Sequence, residues 1–166
     1  GGAGALAHIR REGSEADFME SMHRILEAGR HVLAGGGTAL DAVEICARLL
    51  ENDPLYNAGH GSVLNEYGEV EMDASIMDGQ GLGAGAVAGI TNVKNPITLA
   101  RRVMDKSEHV MIIGKGAMEF AKLCDVDIMT DDYFVIDARI RQWQEAQKAG
   151  GIMLDHEDAE PQHKLG

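Results

Sequence analysis

The side chains able to do chemistry in this sequence are few and dispersed. Asp73 and Asp78 lie close together, and two carboxylates held in different environments can divide acid and base work. The plainer reading is that each braces a turn. Ser62 and Ser75 follow Gly61 and Ala74; neither stands in the Gly-x-Ser-x-Gly turn that exposes a nucleophile, and no base adjoins them in sequence. His8, His23, His31, His60, His109, His156 and His163 have no spacing that would assemble zinc ligands. His23 and His31 read as helix-surface residues. Gly83, Gly85 and Gly89 superficially evoke a dinucleotide loop. That mechanism needs strand, glycine turn and helix N-terminus in succession. Here the glycines fall inside a strand-like run and the last spacing is wrong.

The remaining candidate is a loop. From Leu49 the chain leaves a helix, and Pro54, Asn57, Gly59 and Gly61 alternate with apolar Leu55, Tyr56 and Ala58 before two extended segments that end at Asp78. Turn formers with apolar neighbours predict a fixed loop, and long ordered loops in small domains often carry function. Main-chain carbonyls of such a loop can hold a hard cation, because sodium and calcium take oxygen donors of any origin. A well-packed helix-to-strand connection would have the same make-up.

Around this loop the sequence predicts an alternation of helices and strands. Ser14 with Asp17, and Thr38 with Asp41, are N-cap pairs. The first opens a helix carrying Phe18, Met22, Ile25, Gly29 and Val32, which Gly35-Gly36-Gly37 stops. The second opens a helix carrying Leu40, Val43, Ala47 and Leu50 beside Ala42, Cys46 and Leu49, apolar over enough of its surface to lie between layers. Gly68 to Ala74 alternates like a strand with one wet face. Gly79 to Gly81 is a turn. Leu82 to Ile90, nearly uncharged, reads as a central strand with another backbone lying close to it. Asn95-Pro96 starts a helix buried through Leu99 and Val103, His109 to Ile113 is a short buried strand, and Gly114 leads into a helix through Ala117, Phe120, Ala121 and Cys124. Asp137 caps a last helix through Ile140 and Trp143, ended by Gly150-Gly151. Beyond Asp155 the chain is polar and acidic, the composition of a disordered tail. The expected domain plan is one unit over 1–154 and a flexible tail over 155–166. The fold class is α/β (α+β), a sandwich of sheets covered by helices. The strand count is low for a closed sheet, so part of the sheet is expected from another chain.

Composition narrows the function. A chain of 166 residues is sized for one domain, and its net charge of −12, with no basic stripe, argues against nucleic acid. No apolar run reaches the ~18 residues of a membrane span, and no signal sequence opens the chain. Aromatics at 4% with 21 Gly and 9 Met predict closely approaching backbones in place of aromatic clusters. Cys46 and Cys124 read as buried reduced thiols, suiting a reducing, cytoplasmic setting. On residues alone a non-catalytic small-ligand or metal-binding α/β module remains open.

Several motifs add to this. Gly1-Gly2-Ala3-Gly4, Asn57-Ala58-Gly59-x-Gly61-Ser62-Val63-Leu64, the run from Gly68 to Gly79 with its Met72-Asp73-Ala74 and Met77-Asp78-Gly79, Ala84 to Ala88, Asn95-Pro96 with Ala100-Arg101, and Lys164-Leu165-Gly166 together resemble the plant-type L-asparaginase/isoaspartyl peptidase family. The match runs in register along the chain and is weakest over 125–163. The resemblance implies an N-terminal-nucleophile hydrolase with an αββα sandwich, made as a precursor that cuts itself before a Thr. This chain would be the α subunit ending at Gly166, the autocleavage site. The nucleophilic Thr would then lie on a separate β chain, usually in an (αβ)2 heterotetramer. It also implies hydrolysis of isoaspartyl (β-aspartyl) dipeptides and of the L-asparagine side-chain amide, with no organic cofactor. Asn57 matches the family residue beside the nucleophile, and Gly1 and Gly2 match a glycine loop near the active site, whose preceding His and strand are absent here. Leu50, Glu51, Asp53, Tyr56, Ala58 and His60 align with a sodium-binding loop whose main-chain carbonyls are the ligands. A glycosylasparaginase is the alternative within the wider group. The reduced thiols and the Met-Asp-Ala string favour the asparaginase branch.

Overall fold

A computed structural model describes residues 14–149; the expectations placed on Gly1, Gly2, Gly150-Gly151, the 155–166 tail and Gly166 lie outside the described residues. Both predicted N-cap pairs are in place. Ser14 and Asp17 form a reciprocal capping box at the head of α1 (Glu15–Ala34), and Thr38 and Asp41 do the same for α2 (Ala39–Glu51). These bonds, the backbone bond to Ser14 and the side-chain bond to Thr38 first, hold the carboxyls of Asp17 and Asp41 below the usual range. Gly29 lets the two helices close up, since a Cβ there would lie 2.6 Å from Cys46 Sγ, and that thiol donates to the Ile25 carbonyl at 3.4 Å. Cys46 and Cys124 are free thiols, both half-buried, Cys124 at the C-terminus of α4 (Gly114–Leu123).

The sheet has three strands in the order β1 (Met72–Met77), β2 (Ala84–Ile90), β3 (Met111–Ile113), with β1 antiparallel and β3 parallel to β2. The Leu82–Ile90 run is therefore the central strand, as its composition implies. The close backbone is also present: α3 (Pro96–Lys106) lies over β2 and β1. A Cβ on Gly85 would sit 2.1 Å from the Ala100 carbonyl oxygen and 2.5 Å from the Met104 nitrogen. Ile90, Leu99, Ala100, Val103, Ala117 and Ala121 are fully buried between sheet and helices. Removing a Leu or Val side chain of this kind from water contributes roughly 1.5–3 kcal/mol. The final elements are α5 (Asp131–Phe134), absent from the sequence reading, and α6 (Asp137–Ala149).

Two strand expectations need correction. The first strand starts at Met72, not Gly68, because Asn65 captures the segment before it: its side-chain oxygen accepts the amides of Tyr67 and Glu69, and Gly68 turns at φ 80° against Trp143. The Met111–Ile113 strand is not buried. Met111 is 52% and Ile113 63% exposed, because β3 is an edge strand and both side chains leave the face that the helices cover. Register puts Met77, Ser75, Ala84, Ala86, Ala88, Met111 and Ile113 together on that second face, and among the described residues no helix packs over it. The fold is thus mixed α and β, with one small sheet backed by helices on one side.

Candidate functional site

The loop after α2 is built by side chains that each reach a different element. At its start Asp53, nearly buried, accepts Ser21 Oγ at 2.5 Å and Arg24 Nη2 at 2.9 Å on one oxygen and the Leu55 amide at 3.1 Å on the other. α2 has already ended at Glu51 with Asn52 as its C-cap, and this bond is an Asx turn around Pro54, which has no amide to extend the helix. Tyr56 donates to Ser21 Oγ at 3.3 Å and meets Phe18 edge-on, with ring centres 5.8 Å apart. The entry of the loop is therefore tied to α1.

Glu51 ties the loop to α3. Its carboxylate is 6% exposed and takes the Ile97 amide at 2.9 Å and Asn95 Nδ2 at 3.1 Å, standing in for the side-chain cap that Asn95 itself does not make. Burial pushes its pKa up to about 7, against the pull of the Ile97 amide and Asn95.

The exit of the loop is tied to the last two helices. Gly59–Gly61 forms one 3-10 turn. The His60 ring lies against Tyr133, centres 4.7 Å apart, and its Nδ1 meets the Tyr133 carbonyl; burial holds the Tyr133 hydroxyl above the usual phenol range. The Gly61 carbonyl accepts Arg139 Nε at 2.7 Å. Between these anchors Asn57 is exposed, and its side-chain oxygen accepts the Val63 amide at 2.9 Å.

The structure brings Leu50, Glu51, Asp53, Tyr56, Asn57, Ala58 and His60 together in this loop. The carbonyls of Asp53, Tyr56 and Ala58 each accept an amide (from Tyr56, Ala58 and Gly61), and a carbonyl has a second lone pair. Those of Glu51 and Tyr56 lie against two glycines: a Cβ on Gly59, which sits at φ +52°, would be 2.2 Å from the first, and one on Gly61 would be 2.1 Å from the second. Only glycine allows the loop to wind this tightly. Among the described residues no three His, Cys, Asp or Glu side chains converge as metal ligands, so main-chain oxygens are the donor set on offer.

The other candidates resolve into structural roles. Asp78 accepts the Gln80 and Gly81 amides, which lower its pKa, and caps the β1–β2 hairpin. Asp73 accepts the Gly89 amide across the bulge in the β1–β2 ladder. Both brace backbone, the plainer of the two readings. Gly85 and Gly89 lie within β2, which removes the phosphate-loop reading. Sequence reasoning missed Ser21 and Arg139. Arg139 had a visible signal, because it falls between Ile136 and Trp143 at helical spacing, a charge inside an apolar stripe.

Similarity to known proteins agrees with this architecture. The chain is 46% identical over 159 residues to a putative isoaspartyl peptidase/L-asparaginase of Dictyostelium discoideum, covering 95% of this chain and 46% of that protein. It is 42% identical over 160 residues to an isoaspartyl peptidase of Salmonella typhimurium (96% and 51%) and 47% identical over 151 residues to a plant-type L-asparaginase of Thermococcus kodakarensis (89% and 46%). The chain spans about half the length of the curated relatives it matches. The chain is thus similar in sequence to proteins named as asparaginases and isoaspartyl peptidases. The family model described as Asparaginase matches residues 1–165, and the chain belongs to that family, Asparaginase_2.

Proposed function

We propose that this chain is the α subunit of a self-processed amidohydrolase that cleaves isoaspartyl (β-aspartyl) dipeptides and the side-chain amide of L-asparagine. The observation that carries this reading is the uncovered sheet face. Ala84, Ala86, Ala88, Met111 and Ile113 form a small-residue and apolar surface suited to a second sheet, in a chain that spans about half of relatives named for these activities. The second sheet would come from a β chain of the same precursor, whose N-terminal Thr is the nucleophile. Two such αβ units would associate, and the low cysteine content suits a cytoplasmic enzyme. No helix among the described residues is long and apolar enough to cross a membrane.

The chemistry follows from general physics. A Thr hydroxyl becomes nucleophilic when a base takes its proton, and a free α-amino group with pKa ~8 serves. Attack on the amide carbon gives an acyl-enzyme and releases ammonia or the peptide amine; water then releases aspartate. Asn57 stands beside the nucleophile and orients its hydroxyl or the loop around it. Cleavage after Gly166 frees the Thr.

A structural sodium ion is part of the proposal. The main-chain carbonyls of Leu50, Glu51, Asp53, Tyr56, Ala58 and His60 would supply the oxygen donors, since a hard cation requires several oxygens and no specific side chain. When bound it would fix the loop that presents Asn57.

The test is a denaturing intact-mass spectrum of the purified full-length protein with N-terminal sequencing of every species. The expected result is two polypeptides, one beginning with Thr, with ammonia released from L-asparagine and aspartate from isoaspartyl dipeptides. A single uncut chain without either activity overturns the proposal.

A further inference from the structure

Among the described residues Arg139 is the largest side chain that is fully buried, at 1% exposure. Burying a guanidinium is costly unless its donors are used well. Its Nε donates to the Gly61 carbonyl at 2.7 Å in a buried setting, from 78 positions away in sequence, and its Nη1 donates to Gln142 Oε1 at 3.0 Å.

That carbonyl is one end of the 61–62 peptide plane. The other end, the Ser62 amide, donates to the Gly59 carbonyl at 3.2 Å. With both ends held, the 61–62 plane is anchored, and the Val63 amide that follows it across Ser62 donates to the Asn57 side-chain oxygen at 2.9 Å. The plane has little room to shift, because a Cβ on Gly61 would meet the carbonyl oxygens of Tyr56 at 2.1 Å and Pro54 at 2.9 Å. The anchor thus lies on α6 and the exposed amide in the loop, joined by three consecutive residues of backbone.

We infer that Arg139 is a positioning residue for hydrolysis, acting through the Gly61–Val63 backbone to hold the Asn57 carboxamide where the nucleophile requires it. The inference rests on the hydrolase reading above, and wild-type processing and turnover test that reading separately. A displacement of about 1 Å at a reacting centre costs up to ~100-fold, and a loosened second-hand anchor a fraction of that.

The experiment is a double-mutant cycle on the full-length enzyme, reading the rate of self-cleavage, kcat, KM and Tm. Arg139→Lys is expected to lower kcat about 10-fold with KM within about twofold, and to add nothing in an Asn57→Ala background, since residues acting as one unit are not additive. Gln142→Leu removes the Gln142 bond to Nη1 without touching the Gly61 bond and keeps the test valid if Arg139→Lys fails to fold. It is expected to lower kcat by about two- to fivefold at unchanged Tm, again only when Asn57 is present. Effects that multiply with Asn57→Ala, or that follow Tm alone, would assign Arg139 to general packing and overturn the inference. So would an unchanged kcat in Gln142→Leu. A wild-type protein that neither cuts itself nor hydrolyses substrate would remove the hydrolase reading and not the loop geometry.

Discussion

The two faces of the β1–β2–β3 sheet obey opposite rules. On the helix face the residues are chosen for intimate fit. Gly85 admits the backbone of α3, Val87 is 1% exposed, and Ile76 and Met72 are buried beside it. On the other face Ala84, Ala86 and Ala88 are small and half-buried, and Met77, Met111 and Ile113 stand 52% to 63% exposed. A face that met only water would carry charges and polar β-formers, and an exposed apolar patch of this kind marks an interface. The difference teaches that one face is finished by this chain and the other is shaped for something the described residues do not supply.

The largest expected effect comes from charging the unfinished face. Met111→Glu with Ile113→Glu leaves the helix face untouched, so in the chain expressed alone it should reduce aggregation, which the bare apolar face and the open strand edges otherwise promote. In the full-length protein the same pair should abolish self-cleavage and activity by placing two unpaired carboxylates between sheets. Size-exclusion chromatography of the first and intact mass of the second give the readouts. A fully processed, active double variant would mean that nothing packs on this face.

The matched change on the finished face is Gly85→Ala. Its methyl would meet backbone atoms of Ala100 and Met104 that cannot rotate away, so α3 must lift off the sheet. A loss of about 3 kcal/mol is expected, at the upper end of overpacking costs, measured by chemical denaturation of the full-length protein. Ala86→Ser, next in sequence but on the other face, should cost under about 0.5 kcal/mol in the same assay if that face stays open, as an ordinary surface substitution does. A larger loss there would locate the second sheet on it.

Glu51 sharpens the comparison from the edge of the core. Its folded-state pKa, raised to about 7, lies above the ordinary 4.5 of the unfolded chain, so folding penalises the ionised form. In sodium-free buffer stability should be highest near pH 4.5 on this account. It should fall as pH rises toward 7 and level off above, by roughly 3 kcal/mol in all. Glu51→Gln should flatten that limb, as urea midpoints at successive pH values would reveal. Sodium held by the loop's carbonyls would favour the carboxylate and shrink the slope in wild type only. A wild-type slope equal to that of Glu51→Gln would mean that the carboxyl is not the buried titrating group.

Much of this was legible in the sequence, and the failures have a common cause. Helix starts were readable because Ser14, Asp17, Thr38 and Asp41 act within one turn. The central strand was readable because Gly85 can only mean a close neighbour in an apolar run. The loop at Asn57 was readable by its turn residues, and its family resemblance is now matched by membership of Asparaginase_2. What was not legible depends on distant partners. Ser21 reads as an ordinary helix residue until Asp53 reaches it, and Arg139 becomes a loop anchor only when Gly61 arrives from far along the chain. The start of β1 was misplaced for a local reason, since alternation from Gly68 outweighed the turn-forming capacity of Asn65. The burial of β3 was misjudged because hydrophobicity does not tell a covered strand from an exposed edge strand.

The smallest effect separates the two faces at their shared hairpin. Leu82 sits at φ 58° and is 72% exposed, a left-handed conformation that costs a residue with a Cβ about 1–2 kcal/mol. Glycine removes that strain and returns part of the gain as unfolded-state entropy. In the chain by itself Leu82→Gly should therefore stabilise by about 0.5–1 kcal/mol, seen as a higher urea midpoint. In the full-length protein the sign should reverse if the strained leucine is kept because its side chain packs on the second sheet, where a buried Leu contributes roughly 1.5–3 kcal/mol. Equal stabilisation in both settings would place the hairpin tip in solvent and confine the interface to the strands.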